Sequence, residues 1–285
     1  MKGLGTALVT PFTEEGRIDF PAITTLIEHQ IAGGTDYLVI LGTTSEVPTL
    51  THKEQDEIIS HVVNQVAGRL PLILGVGGNS TAAVVERITE LQDILKQHFA
   101  GILSVTPYYN RPQQEGLYLH FCEVAKASPV PVILYNVPKR TGVNLLPDTT
   151  RRIYEAYPNK IMGIKEACGS IEQFSETIAI ANGDFAVISG DDDLAYEMVK
   201  AGGAGLISVA SNAWPKEMKQ IVTQQDAFMQ SKMGHRIHLL FVEGNPSGIK
   251  TVLTEMGMIK NILRLPLVPN TENTQMVIRR ALAQM

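Results

Sequence analysis

Short apolar runs recur along the chain, each ending in Gly, Thr, Ser, Asn, Asp, Pro or Tyr. They are TALVT (6–10), DYLVILGTT (36–44), LPLILGVGGNS (70–80), AGILSVTPYYN (100–110), VPVILYNVP (130–138), IMGIKEACG (161–169), FAVISGDDD (185–193) and AGLISVASN (204–212). Most follow their predecessor by roughly 30 residues, shortening to roughly 20 to 25 at the end, which is the length of one strand, one helix and two loops. The intervening segments have helical spacing. DFPAITTLIEHQIAGG ends on glycines, while THKEQDEIISHVVNQVAG and STAAVVERITELQDILKQ open on Thr or Ser suited to N-capping.

Nearly continuous apolar strands alternating with helices predict a parallel sheet covered by helices, and eight such units close naturally into a (β/α)8 TIM barrel. An open doubly wound sheet would need an early phosphate-binding fingerprint, and the first strand-to-helix loop, TPFTEEGRID, has none. After about residue 225 the alternation stops, and SKMGHRIHLLFVEGNPSGIKTVLTEMG through TENTQMVIRRALAQM reads as helices broken by Gly, Asn and Pro. The expected organisation is a catalytic barrel over residues 1–225 and a C-terminal helical region over 226–285, packed on the barrel.

Composition narrows the function. The net charge of −5 and a pI near 5.8 argue against nucleic-acid binding. Cys122 and Cys168 are too few for a disulfide framework and fit a reducing compartment. No apolar run approaches the ~18 residues needed to span a bilayer, and the start, MKGLGTALVTPF, has too short an apolar stretch for a signal peptide. A cytoplasmic protein is expected.

In a barrel, chemistry belongs at the carboxyl ends of the strands. Those ends carry Thr10, Thr43, Thr44, Asn79, Thr106, Tyr108, Tyr109, Tyr135, Asn136, Arg140, Lys165, Glu166, Asp191 to Asp193 and Ser208. Lys165 in NKIMGIKEACGS is the sharpest item, because lysines are almost never buried without a partner or a purpose. It is either paired with Glu166, or snorkelling to the rim, or an amine placed to attack a carbonyl and form an imine. Tyr135 lies 30 residues earlier, one βα unit, at the equivalent height on the preceding strand, where a phenol can pass protons to an imine-forming carbinolamine. Arg140 is either a solvated loop charge or a bidentate clamp for a carboxylate.

Other motifs have plainer readings. GVGGN (75–79) is a glycine-lined turn, Asp191 to Asp193 form a capping cluster opening the next helix rather than a cation site, and His235 and His238 are surface or packing residues. No metal and no cofactor is expected.

The motifs GTTSE (42–46), VTPYYNRP (105–112), YNVPKRTG (135–142), GIKEA (163–167), SGDD (189–192) and GGAGLISV (202–209) resemble the dihydrodipicolinate synthase family, within the pyruvate-dependent class I aldolases. The resemblance runs from the first strand through the C-terminal helices. It implies an imine between Lys165 and pyruvate, whose enamine attacks L-aspartate 4-semialdehyde and cyclises, a step of the diaminopimelate route to lysine. It also implies that Tyr135 donates and accepts protons, linked through Thr43 to Tyr109 of a neighbouring subunit. Thr44, Ile207 and Gly190 would contact pyruvate or its partner substrate, and Arg140 would hold the semialdehyde carboxylate. Members are commonly homotetramers built from two dimers. A sialic acid or keto-sugar acid lyase of the same superfamily shares the lysine and tyrosine; Arg140 and GIKEA favour the synthase. A non-catalytic binding barrel would lack some of these rim groups.

Two departures stand out. The turn reads GTTSE where most members have GTTGE, and Ser45 is expected to leave the turn intact. At the positions where lysine-sensitive relatives typically carry Ser, His and Glu, this chain has Val47, Gln55 and Ala83, although His52, Asn79 and Tyr108 match. The missing carboxylate at 83 implies weak or absent inhibition by lysine.

Overall fold

A computed structural model describes residues 1–180 and 185–283. Eight strands, β1 (Gly3–Ala7), β2 (Tyr37–Ile40), β3 (Leu72–Gly75), β4 (Gly101–Val105), β5 (Val132–Asn136), β6 (Ile161–Glu166), β7 (Ala186–Ser189) and β8 (Gly205–Ser208), follow one another in sequence order around a closed barrel. Helices alternate with them, and after β8 the chain is helical, in Pro215–Gln224, Ala227–Leu239, Ser247–Glu255 and Glu272–Ala283. The barrel is the one expected from the eight apolar runs. No helix among the described residues is long and apolar enough to cross a membrane.

Local details differ from the sequence pattern for identifiable reasons. The first strand begins at Gly3, ahead of TALVT, because the Gly3 amide donates to the Ala204 carbonyl at 2.9 Å. Segment 80–97 forms two helices, Thr81–Glu90 and Gln92–His98, hinged at Leu91, whose φ of −88° and ψ of 5° leave the helical region. Strict alternation along β6 fails at one residue: Val132 pairs with Ile161 but Ile133 with Gly163, so Met162 is an extra, bulged residue.

Two compact units make up the chain, Met1–Gly3 with Pro71–Ile207, and Leu4–Leu70 with Ser208–Met285. In the first, β3 through β8 pair in parallel, neighbour to neighbour. Residues on both faces of these strands, among them Ile73, Ile102, Ile133, Ile164 and Ile188, are fully buried. In the second, β1 pairs with β2. Thr51 opens the helix His52–Val66 with a reciprocal capping box to Glu54, which satisfies two otherwise orphaned amides.

Candidate active site

β5 and β6 place the central pair. Tyr135 and Lys165 are register partners across these strands, and both side chains are buried, at 7% and 6% exposure. The Lys165 Nζ lies 4.5 Å from the Tyr135 ring centroid, where the face of a phenol stabilises a neighbouring cation. Among the described residues Lys165 forms no salt bridge. Pairing with Glu166, one of the options open from sequence, does not occur, because consecutive strand residues point to opposite faces. Glu166 instead accepts from Asn136 Nδ2 at 2.9 Å, the Cys168 amide at 3.0 Å and Gln173 Nε2 at 3.1 Å. Burial still pushes its carboxyl up to about 7, against the pull of those three donors.

Glycines shape the space around Lys165. Gly163 lies so close to β7 that a Cβ there would meet the Ala186 carbonyl oxygen at 2.2 Å. At Gly190, just after β7, a Cβ would stand 3.0 Å from Lys165 Cε and 2.6 Å from Ala167 Cβ. The Gly190 amide donates to the Glu166 carbonyl at 2.7 Å, which fixes it there. Asp191 corrects the expectation of a capping cluster: it occupies the N-cap position of the turn Asp192–Leu194, yet its carboxylate makes no capping hydrogen bond. Burial raises its pKa, while the Lys139 and Lys165 ammonium groups and the Gly169 amide pull it back.

Three further candidates belong to the same unit. Arg140 is exposed in the short helix Pro138–Thr141 that follows β5. Ile207 is buried in β8. Tyr109 is 88% exposed and has a left-handed backbone, φ 73°. It is pinned by its amide donating to the Thr141 carbonyl at 3.3 Å, by the turn from the Asn110 amide to the Tyr108 carbonyl, and by Arg111 Nε donating to the Gly142 carbonyl at 3.0 Å. Non-glycine residues with positive φ are costly and concentrate at functional loops.

Thr43 and Thr44 lie in the other unit, on the 3-10 turn Thr43–Ser45 after β2. Leu41, φ 54°, and Glu46, φ 57°, bracket it in left-handed conformations. Thr44 is buried, with Oγ1 accepting from Asn245 Nδ2 at 3.1 Å. The turn is intact with serine at 45, whose hydroxyl donates to the Leu8 carbonyl at 2.6 Å. Sequence reasoning passed over the groups behind this turn: Glu46 is ion-paired with Lys250, both side chains fully buried, and its second oxygen accepts the Arg264 amide at 3.1 Å. The clue was available, since Lys250 interrupts the apolar stretch GIKTVL as Lys165 interrupts IMGIKE. His235 and His238 are exposed on the helix Ala227–Leu239. Among the described residues no group of three or more His, Cys, Asp or Glu is placed to hold a metal ion.

The arrangement of Lys165, Tyr135 and Gly190 can be set beside known proteins. A curated 4-hydroxy-tetrahydrodipicolinate synthase from Parabacteroides distasonis is 45% identical over 295 aligned positions, covering 100% of this chain and 97% of that protein. A solved monomeric dihydrodipicolinate synthase variant superposes with a TM-score of 0.95 at 39% identity, covering 100% and 96% of the two chains. The chloride-inhibited dihydrodipicolinate synthase from Acinetobacter baumannii, solved with pyruvate, gives a TM-score of 0.93 at 39% identity, covering 99% and 98%. The sequence profile of the dihydrodipicolinate synthetase family matches residues 1–285, and the chain belongs to that family.

Proposed function

We propose that this chain is a 4-hydroxy-tetrahydrodipicolinate synthase, a Schiff-base-forming lyase that condenses pyruvate with L-aspartate 4-semialdehyde. The observation that carries it is Lys165: a buried amine in register with a tyrosine and in ion-paired contact with no carboxylate among the described residues. Its free amine attacks C2 of pyruvate, and the phenol of Tyr135 protonates the carbinolamine hydroxyl so that it leaves as water. Loss of a C3 proton from the imine gives an enamine, whose C3 bonds to the aldehyde carbon of the second substrate. The amino group of that substrate then displaces Lys165 from C2, closing the ring and freeing the lysine.

Other groups take supporting roles in this proposal. Thr43 relays protons between Tyr135 and Tyr109 of a neighbouring copy, Thr44, Ile207 and Gly190 seat pyruvate, and Arg140 clamps the semialdehyde carboxylate. Support for the shared tyrosine comes from Tyr109 itself, an aromatic ring held out at 88% exposure on a left-handed backbone. A homotetramer of two such dimers and a cytoplasmic location belong to the same proposal; both cysteines are free, which suits a reducing compartment.

Borohydride reduction with pyruvate, followed by peptide mass mapping, tests the chemistry: the expected adduct is on Lys165, and an adduct elsewhere, or none, would sink it. Turnover of aspartate semialdehyde against sugar-derived aldehydes separates the synthase from the related keto-sugar acid lyases. Because Val47, Gln55 and Ala83 replace polar groups, lysine is expected to inhibit weakly or not at all, and a clear saturable inhibition curve would overturn that.

A further inference from the structure

The turn that carries Thr43 and Thr44 is held from behind by charge. Glu46 closes it through its backbone, its amide donating to the Thr43 carbonyl at 3.2 Å while its own carbonyl receives the Thr49 amide at 2.9 Å. Its carboxylate is buried against Lys250 and the Arg264 amide. Lys250 is anchored in turn: Nζ donates to the Ile262 carbonyl at 2.9 Å and lies 4.2 Å from the centroid of the buried Phe12 ring. The Arg264 guanidinium covers the same ring at 4.5 Å. It reaches the Thr49 carbonyl at 3.0 Å, the Gly16 carbonyl at 2.8 Å and both oxygens of Glu54 at 2.9 and 2.5 Å. The two 3-10 turns, Thr43–Ser45 and Val47–Thr49, are therefore gripped at their junction by Lys250 and at their far end by Arg264.

A salt bridge so deeply buried is a poor way to gain stability, because desolvating two charges offsets most of their attraction and an apolar pair of the same volume does as well. What a buried ion pair does supply is one geometry. A buried charge held by a countercharge and a backbone amide leaves its loop one low-energy position, and Glu46 is held in a left-handed conformation that only such over-determination sustains. We infer that Lys250 and Arg264 are positioning residues for the reaction, Lys250 acting through Glu46 and the Arg264 guanidinium through the Thr49 carbonyl, to hold the Thr43–Thr44 turn in its reactive geometry. The inference rests on the proposed assignment of Thr43 and Thr44 to the proton relay and to pyruvate; the residues that touch substrate are those threonines.

The decisive variant is the neutral double substitution Glu46→Gln with Lys250→Met, which removes both charges together and strands neither. Imine formation is followed in single turnover with pyruvate, alongside thermal unfolding and borohydride trapping. The expected result is a stable protein that still traps pyruvate on Lys165, with KM for pyruvate raised and imine formation slowed roughly tenfold or more, the scale set by misplacing a catalytic group by about an ångström. A stable double variant with wild-type rates and KM overturns the inference. Should that variant not fold, Arg264→Gln tests the other grip: a several-fold rise in KM for pyruvate with little change in unfolding temperature supports positioning, and unchanged KM overturns it. Absence of a Lys165 adduct in the unmodified enzyme refutes the proposed function instead, so the two failures are distinguishable.

Discussion

Lys165 and Lys250 are both buried lysines, one on a strand of the first unit and the other on a helix of the second, and their surroundings could hardly differ more. Lys250 has a carboxylate in contact, a carbonyl at 2.9 Å and a ring face at 4.2 Å. Burial lowers its pKa to about 8, even with Glu46 pulling it back up. Lys165 has the Tyr135 ring at 4.5 Å, Gly190 beneath its Cε and, among the described residues, no salt bridge. The difference teaches which feature makes a buried lysine reactive. Burial is common to both. A partner for every charge makes Lys250 a strut, while a phenol in register and the lack of a salt bridge among the described residues leave Lys165 the amine suited to the proposed nucleophilic role.

Exchanging the two losses separates the roles most sharply. Lys165→Met is expected to abolish the pyruvate adduct and lower kcat by about a thousandfold or more, while the unfolding temperature stays near wild type, because Lys165 makes no salt bridge among the described residues and Asp191 keeps the Lys139 ammonium nearby. Lys250→Met is expected to do the reverse to stability. It leaves Glu46 charged and uncompensated in a site without solvent, at a cost of about 3 to 5 kcal/mol in urea denaturation. Equal destabilisation by both substitutions would break the contrast.

Gly190→Ala sharpens the Lys165 side of it. The new methyl would stand 3.0 Å from Lys165 Cε and 2.6 Å from Ala167 Cβ, closer than packed carbons come, so the lysine side chain must move. Overpacking of this kind costs about 1 to 3 kcal/mol. Imine formation should slow more than stability falls, and a variant with wild-type kinetics would mean that the Lys165 amine has latitude the packing does not suggest.

Much of this was legible in the sequence, and what was not has physical causes. The barrel follows from a recurring beat of apolar runs, and the beat also set Tyr135 opposite Lys165, since a repeat of one βα unit preserves height around the rim. The pattern survived the bulge at Met162 because the slip lies before Gly163, leaving the register from there to Lys165 intact. Asp191 was misread because acidic residues ahead of a helix usually cap it, and only the third dimension reveals that its carboxylate faces two lysines instead. Lys250 and Arg264 were missed for another reason. Their partners, Glu46 and Glu54, are about 200 residues away in sequence, and no periodic signal in a helical tail specifies so distant a pairing.

Acid and base should act on the two regions with opposite sign, and this is the smallest of the expected effects. In the second unit the Arg264 guanidinium holds the Glu54 carboxyl at about 2, below its ordinary 4.5. That contribution is complete above pH 4.5 and is lost as pH falls from there towards 2. With the Glu54 side chain 23% exposed, solvent screening reduces it to about 2 kcal/mol or less. In the first unit Glu166 is raised to about 7 by burial. It stays neutral in the fold where the unfolded chain would already ionise, so the folded state loses ground as pH rises from 4.5 to 7. Urea denaturation between pH 3 and pH 8 should therefore show an acid limb flattened by Glu54→Gln and a neutral limb flattened by Glu166→Gln. If each substitution altered the other's limb, the charge in the Lys250 region and the neutral carboxyl behind Lys165 could not be the separate devices that the two lysines' surroundings make them.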